Sequence, residues 1–146
     1  MRLHLVRLVP APLDAVWGAL TDPAAMGEWW GPEGFACPSV DWEPEAGNTY
    51  RIAMRPPDGE AFSLHGDFRE VTPQSRVAFT FLWDPPHPDD RETVATLSLE
   101  DRGDEGTEVQ VHQGWFATEE RRALHEDGWT DSLNRLAALL ARTAQD

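Results

Sequence analysis

The stretch TEERRALHEDGWTDSLNRLAALLART, residues 118–143, decides how the rest of the chain is read. Its apolar residues fall at Trp129, Leu133, Leu136, Ala137 and Leu140. That i, i+4, i+7, i+8, i+11 series is the stripe of an amphipathic helix. About 25 helical residues span roughly 37 Å, which is long for a chain of this size. Thr118 is placed to cap the N-terminus, and Glu119 and Glu120 follow where the helix dipole favours negative charge. Nothing upstream matches this stretch in length. The remaining elements, mostly strands, are therefore expected to wrap around its stripe.

Upstream, Arg2 to Val9 alternates with leucine and valine on both sides, which predicts a strand covered at least partly on both faces. Pro10 ends it. Pro12 suits the first turn of a helix, and Leu13, Val16, Trp17 and Leu20 follow at helical spacing. Asp22-Pro23 repeats the start signal, so a second short helix runs from about Pro23 to Glu28, and Gly31-Pro32 stops it. From Val40 onward the signals become those of strands. Tyr50, Ile52 and Met54 share one face, and after the turn Pro57-Asp58-Gly59 so do Phe62, Leu64, Gly66 and Phe68. Val77, Phe79, Phe81 and Trp83 form a third such face. The segment Asp84 to Arg91, with three prolines, reads as a mobile loop. Strands at Thr93 to Glu100 and Thr107 to Trp115 flank a turn at Arg102 to Gly106, and the long helix follows.

Strand, two short helices, a run of hairpin-linked strands and a long helix make an α+β order with an antiparallel sheet of six or seven strands. Such a sheet twists and curls. Curled around one long helix, it leaves a tapering space between them, and this is where a pocket is expected.

The 146 residues suggest one domain, 1–146, with a real core. The formal charge of -14 argues against nucleic acid and anionic membrane surfaces as partners. Cys37 is the only cysteine, which excludes an internal disulfide or a CxxC metal site. No apolar run approaches the ~20 residues of a membrane span, and the N-terminus lacks the apolar core of a signal peptide, so a cytoplasmic protein is expected. His87 and Asp89-Asp90 are close in sequence but have no second histidine at ligand spacing, so no metal is expected. GxSxG, HExxH, P-loop and GxGxxG patterns are all missing, and no cofactor is expected.

Several motifs resemble the START/Bet v-like (SRPBCC) helix-grip superfamily, and more closely the family named after the activator of the heat-shock-protein-90 ATPase. They are Val16-Trp17 with LTDPAAMGEWWGP (20–32), EAGNTYRIAMRPPDG (45–59), GDFREVTP (66–73), RVAFTFLW (76–83), GTEVQVHQGW (106–115), and Gly128-Trp129 before spaced leucines. Each is weak alone, but together, in this order, they cover nearly the whole chain. The resemblance implies a helix-grip fold within a superfamily of hydrophobic-ligand binders and some cyclases. The eukaryotic co-chaperone makes much of its chaperone contact through an additional N-terminal domain. This sequence begins at the helix-grip strand, so the resemblance implies a fold and a pocket rather than co-chaperone activity.

The residues expected at a ligand pocket are Trp30, Met54, Phe62, Phe81, Trp83, Gln113, Trp115, His125 and Trp129. Trp30 reads either as part of a lid or as one of two adjacent indoles, one packed under the helix and the other at the surface. The strand faces are first of all core against Trp129, Leu133 and Leu136, with Met54, Phe62, Phe81 and Trp83 at the ends that a ligand would reach. Gln113 points inward on alternation, as a paired buried amide or as a polar anchor for ligand, unless a bulge at Gly114 reverses the faces. His125, one turn before Trp129, either reaches the pocket or caps the core. No catalytic residue is assigned. The expected function is binding of a small hydrophobic or aromatic molecule. The alternatives are a cyclase, dehydratase or hydrolase using the same cavity, and a co-chaperone-like or homodimeric interaction module. An enzyme needs at least two convergent titratable groups facing inward.

Overall fold

The computed structural model describes residues 1–143. Its elements are β1 (Leu3–Val9), α1 (Leu13–Thr21), α2 (Pro23–Trp29), β2 (Ala36–Asp41), β3 (Thr49–Arg55), β4 (Phe62–Thr72), β5 (Arg76–Asp84), β6 (Thr93–Asp101), β7 (Thr107–Gly114) and α3 (Glu119–Thr143). The seven strands form one sheet in the order β1-β7-β6-β5-β4-β3-β2, and every neighbouring pair is antiparallel. Chain order thus runs unbroken from β2 to β7, with β1 completing the far edge.

The inward face of this sheet is apolar on nearly every strand. Val111 lies opposite Leu5 and Leu97, Val77 opposite Leu97, and Ile52 opposite Leu64. Against it α3 buries Trp129, Leu133, Leu136, Leu139 and Leu140, the stripe read from the sequence with Leu139 added and Ala137 only half-buried. Thr118 caps α3 through Oγ1, which accepts from the Arg121 N–H at 3.1 Å. None of the described helices is long and apolar enough to cross a membrane.

The two short helices close one end of the core. Asp22 caps α2 by accepting from the Ala24 N–H at 3.0 Å, with Pro23 in the first turn, where its missing N–H leaves no bond unmade. The indoles of Trp29 and Trp42 reach back to α1, donating to the carbonyls of Ala19 and Leu20 at 2.9 Å each. Trp42 then sits at the hub of an edge-on aromatic cluster with Tyr50, Phe68 and Phe79, ring centroids 4.8–5.2 Å away.

Two expectations are corrected. β1 is covered on one face only: Val6 and Leu8 point outward, 55% and 41% exposed, because α3 packs on the other side. The Asp84–Arg91 segment is a loop, but it is fastened rather than free. Asp90 pairs with Arg121, and the Arg91 guanidinium donates to the carbonyls of Trp115 and Phe116 at 2.8 Å.

Candidate functional site

The site begins where α2 ends. Gly31 takes a positive φ of 98°, and a Cβ there would lie 2.9 Å from the Met54 Cε, so glycine lets the chain turn close against the sheet. The loop that follows is held by one face of α3. Ser132 Oγ accepts from the Gly31 N–H at 2.9 Å and donates to the Gly31 carbonyl at 3.2 Å. The Asp131 carboxylate accepts from the Glu33 N–H at 3.1 Å. Arg135 adds five bonds: Nη1 donates to the carbonyls of Trp30, Gly31 and Pro32 at 3.0–3.1 Å, and Nη2 to those of Glu28 and Phe35 at 3.1 and 3.3 Å. A planar fork of fixed donors suits such a converging set of oxygens better than an ammonium would. The loop is a fixed wall rather than a lid.

Behind that wall lies a cavity of about 290 Å³ between the sheet and the first half of α3. Its apolar lining is Trp30, Phe35, Met54, Phe62, Phe81, Trp83, Leu124 and Trp129. The rings brace one another edge-on or tilted, with Trp30 to Trp129 at 5.1 Å, Phe81 to Trp83 at 5.2 Å and Phe62 to Trp83 at 5.4 Å. Space remains because α3 presents Gly128 here, and a Cβ added to it would meet no atom within 4 Å beyond its chain neighbours and its own helix backbone.

The polar groups at the cavity are matched to one another, except the exposed His87 imidazole, which is bonded only at Nδ1, accepting from the Asp89 N–H at 3.0 Å. The Arg121 side chain donates through Nε and Nη2 to one oxygen of Asp90 at 2.8 and 2.7 Å, and the other Asp90 oxygen accepts from the His87 N–H at 2.7 Å. The two side chains are only 14% and 4% exposed, so this is an ion pair held in a poorly solvated place. His125 is committed at both ring nitrogens. Nδ1 lies 2.8 Å from the Arg121 carbonyl, and Nε2 lies 3.0 Å from the Trp83 indole nitrogen. An indole N–H only donates, so Nε2 accepts and the proton sits on Nδ1. The imidazole is neutral and oriented. Burial holds its pKa below the ordinary value, helped by the Arg121 charge, while the bond to the Arg121 carbonyl and the Asp90 charge pull the other way.

Seven of the nine residues expected at a pocket line this cavity: Trp30, Met54, Phe62, Phe81, Trp83, His125 and Trp129. Gln113 lies outside it. The amide points inward, as alternation requires, but both of its polar atoms have protein partners: Oε1 accepts from the Trp129 indole at 2.8 Å, and Nε2 donates to Thr93 Oγ1 at 2.9 Å. It positions Trp129 from beneath. Trp115 also lies outside, 60% exposed, with the Arg2 guanidinium 5.1 Å from its ring centroid. The sheet ends at Gly114, so strand alternation no longer governs Trp115, and Phe116 takes the buried place instead, 4.8 Å from His125. Trp29 and Trp30 are both buried, so neither is the surface aromatic that the sequence allowed. The lining residues missed from sequence include Phe35, Pro85, Asp90, Arg121 and Gly128. Among the described residues no three His, Cys, Asp or Glu side chains gather as metal ligands.

A curved antiparallel sheet closed around a C-terminal helix, with an apolar space left between them, defines the helix-grip class of the START-like superfamily, whose fold commonly binds hydrophobic ligands. Within that class, residues 10–141 match the model of the Activator of Hsp90 ATPase homolog 1-like protein family, and the chain belongs to it. A protein from Chromobacterium violaceum is 26% identical, with a TM-score of 0.85 over 95% of this chain and 96% of its own. The Activator of Hsp90 ATPase homolog 1-like (AHSA1) protein of Silicibacter pomeroyi is 28% identical, with a TM-score of 0.86 over 98% of this chain and 99% of its own. A Rhodobacter sphaeroides protein is 27% identical, with a TM-score of 0.81 over 97% and 93% of the two chains. No curated protein is a significant match in sequence.

Proposed function

We propose that this chain is a non-catalytic binding protein that holds a small hydrophobic or aromatic molecule between its sheet and α3. The observation that carries the reading is the 290 Å³ cavity walled by indole, phenyl and thioether groups. Its volume is at the lower end of the ~300–1,000 Å³ of small-molecule sites, and its lining is of the predominantly apolar kind that such sites use. The aromatic walls supply broad contact area at little conformational cost, and Met54 supplies an adaptable one.

The titratable groups favour a carrier over an enzyme. A general acid or base must be free to exchange a proton with substrate. His125 spends both nitrogens on protein partners, and Asp90 and Arg121 spend their charges on each other, which leaves the exposed His87 as one free group where an enzyme needs at least two convergent ones. Native mass spectrometry of the purified chain tests the reading. A copurifying apolar molecule, lost when the cavity is filled by substitution, is expected. Persistent absence of any bound species, together with no uptake of added naphthalene-sized molecules, would count against it.

A further inference from the structure

Four indoles in this protein are almost wholly buried: Trp29, Trp30, Trp42 and Trp129 are 0%, 3%, 1% and 4% exposed. Three of them donate to a protein oxygen, respectively the Ala19 carbonyl, the Leu20 carbonyl and the Gln113 amide, at 2.8–2.9 Å. The half-buried Trp83 indole also has an acceptor, in His125. The Trp30 N–H has no nitrogen, oxygen or sulfur acceptor among the described residues. A buried indole N–H is normally paired, and leaving one unpaired is costly. Nor is this N–H sealed off, because the one fully covered side-chain N or O atom without a partner among the described residues is Nε of Arg7. Its N–H therefore keeps a small open surface, and Trp30 is one of the side chains that line the cavity.

The other polar groups at the cavity define what kind of acceptor that donor can meet. Arg121 and Asp90 cancel in charge, His125 is neutral with both nitrogens engaged, Ser132 exchanges two bonds with Gly31, and His87, exposed to water, is bonded only at Nδ1. An incoming carboxylate would find the Arg121 cation already paired and the Asp90 anion beside it, on a chain of formal charge -14. Size narrows the class further. A cavity of about 150 Å³ lined by aliphatic and aromatic side chains holds benzene, and this one, at 290 Å³, has room for about two such rings.

From these observations, and resting on the carrier reading above, we infer that the cavity takes a neutral two-ring aromatic molecule bearing an acceptor oxygen, bound with that oxygen on the Trp30 indole N–H. The ring system lies among Phe62, Phe81, Trp83 and Trp129, and Trp30 sets its orientation. The N–H contributes selectivity, while the rings contribute most of the affinity.

Equilibrium dialysis with three probes of one shape separates the parts of this statement: 2-acetylnaphthalene, 2-ethylnaphthalene and 2-naphthoate. The full chain is expected to bind the ketone and the hydrocarbon, and to bind the carboxylate no better than the hydrocarbon. Trp30→Phe keeps a ring in place and removes the donor. It is expected to weaken the ketone about three- to tenfold, the range of one neutral hydrogen bond, and the hydrocarbon less than twofold. Equal losses for both, or no loss for the ketone, overturn the acceptor assignment while leaving the carrier reading intact. Tightest binding of the naphthoate overturns the neutral class. Failure of the parent chain to bind any of the three overturns the carrier reading and this inference with it. Should Trp30→Phe fold poorly, the parent's ¹⁵N-indole resonances decide: the Trp30 N–H proton should move downfield with the ketone and not with the hydrocarbon. An equal response to both refutes the bond.

Discussion

Arg135→Met is the substitution that asks most directly whether the cavity wall is fastened to the helix. Methionine keeps much of the stem and its packing but removes the guanidinium. The two Nη groups supply four N–H donors to five carbonyls of residues 28–35, none of them part of an ion pair with Arg135. At a net worth of about 1 kcal/mol for each N–H, the set amounts to about 4 kcal/mol. Arg135 is half-buried, so water replaces part of the lost bonding, and removal of a desolvated charge offsets a little more. The expected loss is about 2–4 kcal/mol. Urea unfolding measures it as a drop in midpoint at unchanged slope. Hydrogen exchange localises it: the amides of Gly31, Glu33 and Phe35 are bonded to Ser132, Asp131 and Pro32, and they should lose protection before the β6 and β7 amides do. A variant within about 0.5 kcal/mol of the parent, a threshold typical of neutral surface changes, with those three amides still protected, would mean that Arg135 does not fasten the wall.

Other perturbations probe the grip and the histidine. Trp129→Ala empties the centre of the stripe and strands the Gln113 amide, so a loss of about 3–5 kcal/mol is expected; a melting curve like the parent's would mean that α3 is not gripped there. His125 gives a pH dependence. Its folded-state pKa lies below the ordinary 6.5, so the unfolded chain takes up the proton first as pH falls. Stability is therefore lost from about pH 6.5 downward, at no more than about 1.4 kcal/mol per pH unit from this group, until the folded-state pKa is reached. His112, also depressed by burial and by the neighbouring His4, Arg2 and Arg76, adds a loss of the same sign. His125→Gln should leave a shallower slope between pH 6.5 and 5 than the parent shows; identical slopes would remove His125 from the account.

Much of the fold was legible because burial imposes periodicity. The Trp129-to-Leu140 stripe, the inward faces of β3, β4 and β5, and the inward Gln113 all follow from spacing alone. Those same strand faces pointed to Met54, Phe62, Phe81 and Trp83 at the cavity. β2 was hard to see, because its Ala36–Asp41 run contains a proline, a register shift against β3 and no buried residue. Arg121, Asp90 and Arg135 left no periodic signal at all. Each acts through a partner distant in sequence, 31 positions away for the ion pair and 100 or more for the Arg135 carbonyls. Trp115 misled for the opposite reason: alternation was extended one residue beyond the point where the chain leaves the sheet.

The space beside Gly128 offers the most direct test of the claim that the cavity is a binding site. A side chain there would project from α3 into the cavity, its Cβ meeting no atom within 4 Å beyond its chain neighbours and the backbone of its own helix. Gly128→Leu also replaces glycine in the interior of a 25-residue helix, a gain of about 1 kcal/mol from backbone propensity alone. Urea unfolding and 2-acetylnaphthalene binding, measured on the same variant, should therefore move in opposite directions. A protein at least as stable as the parent that no longer binds the probe is expected. A Gly128→Leu chain that binds as the parent does would contradict the claim.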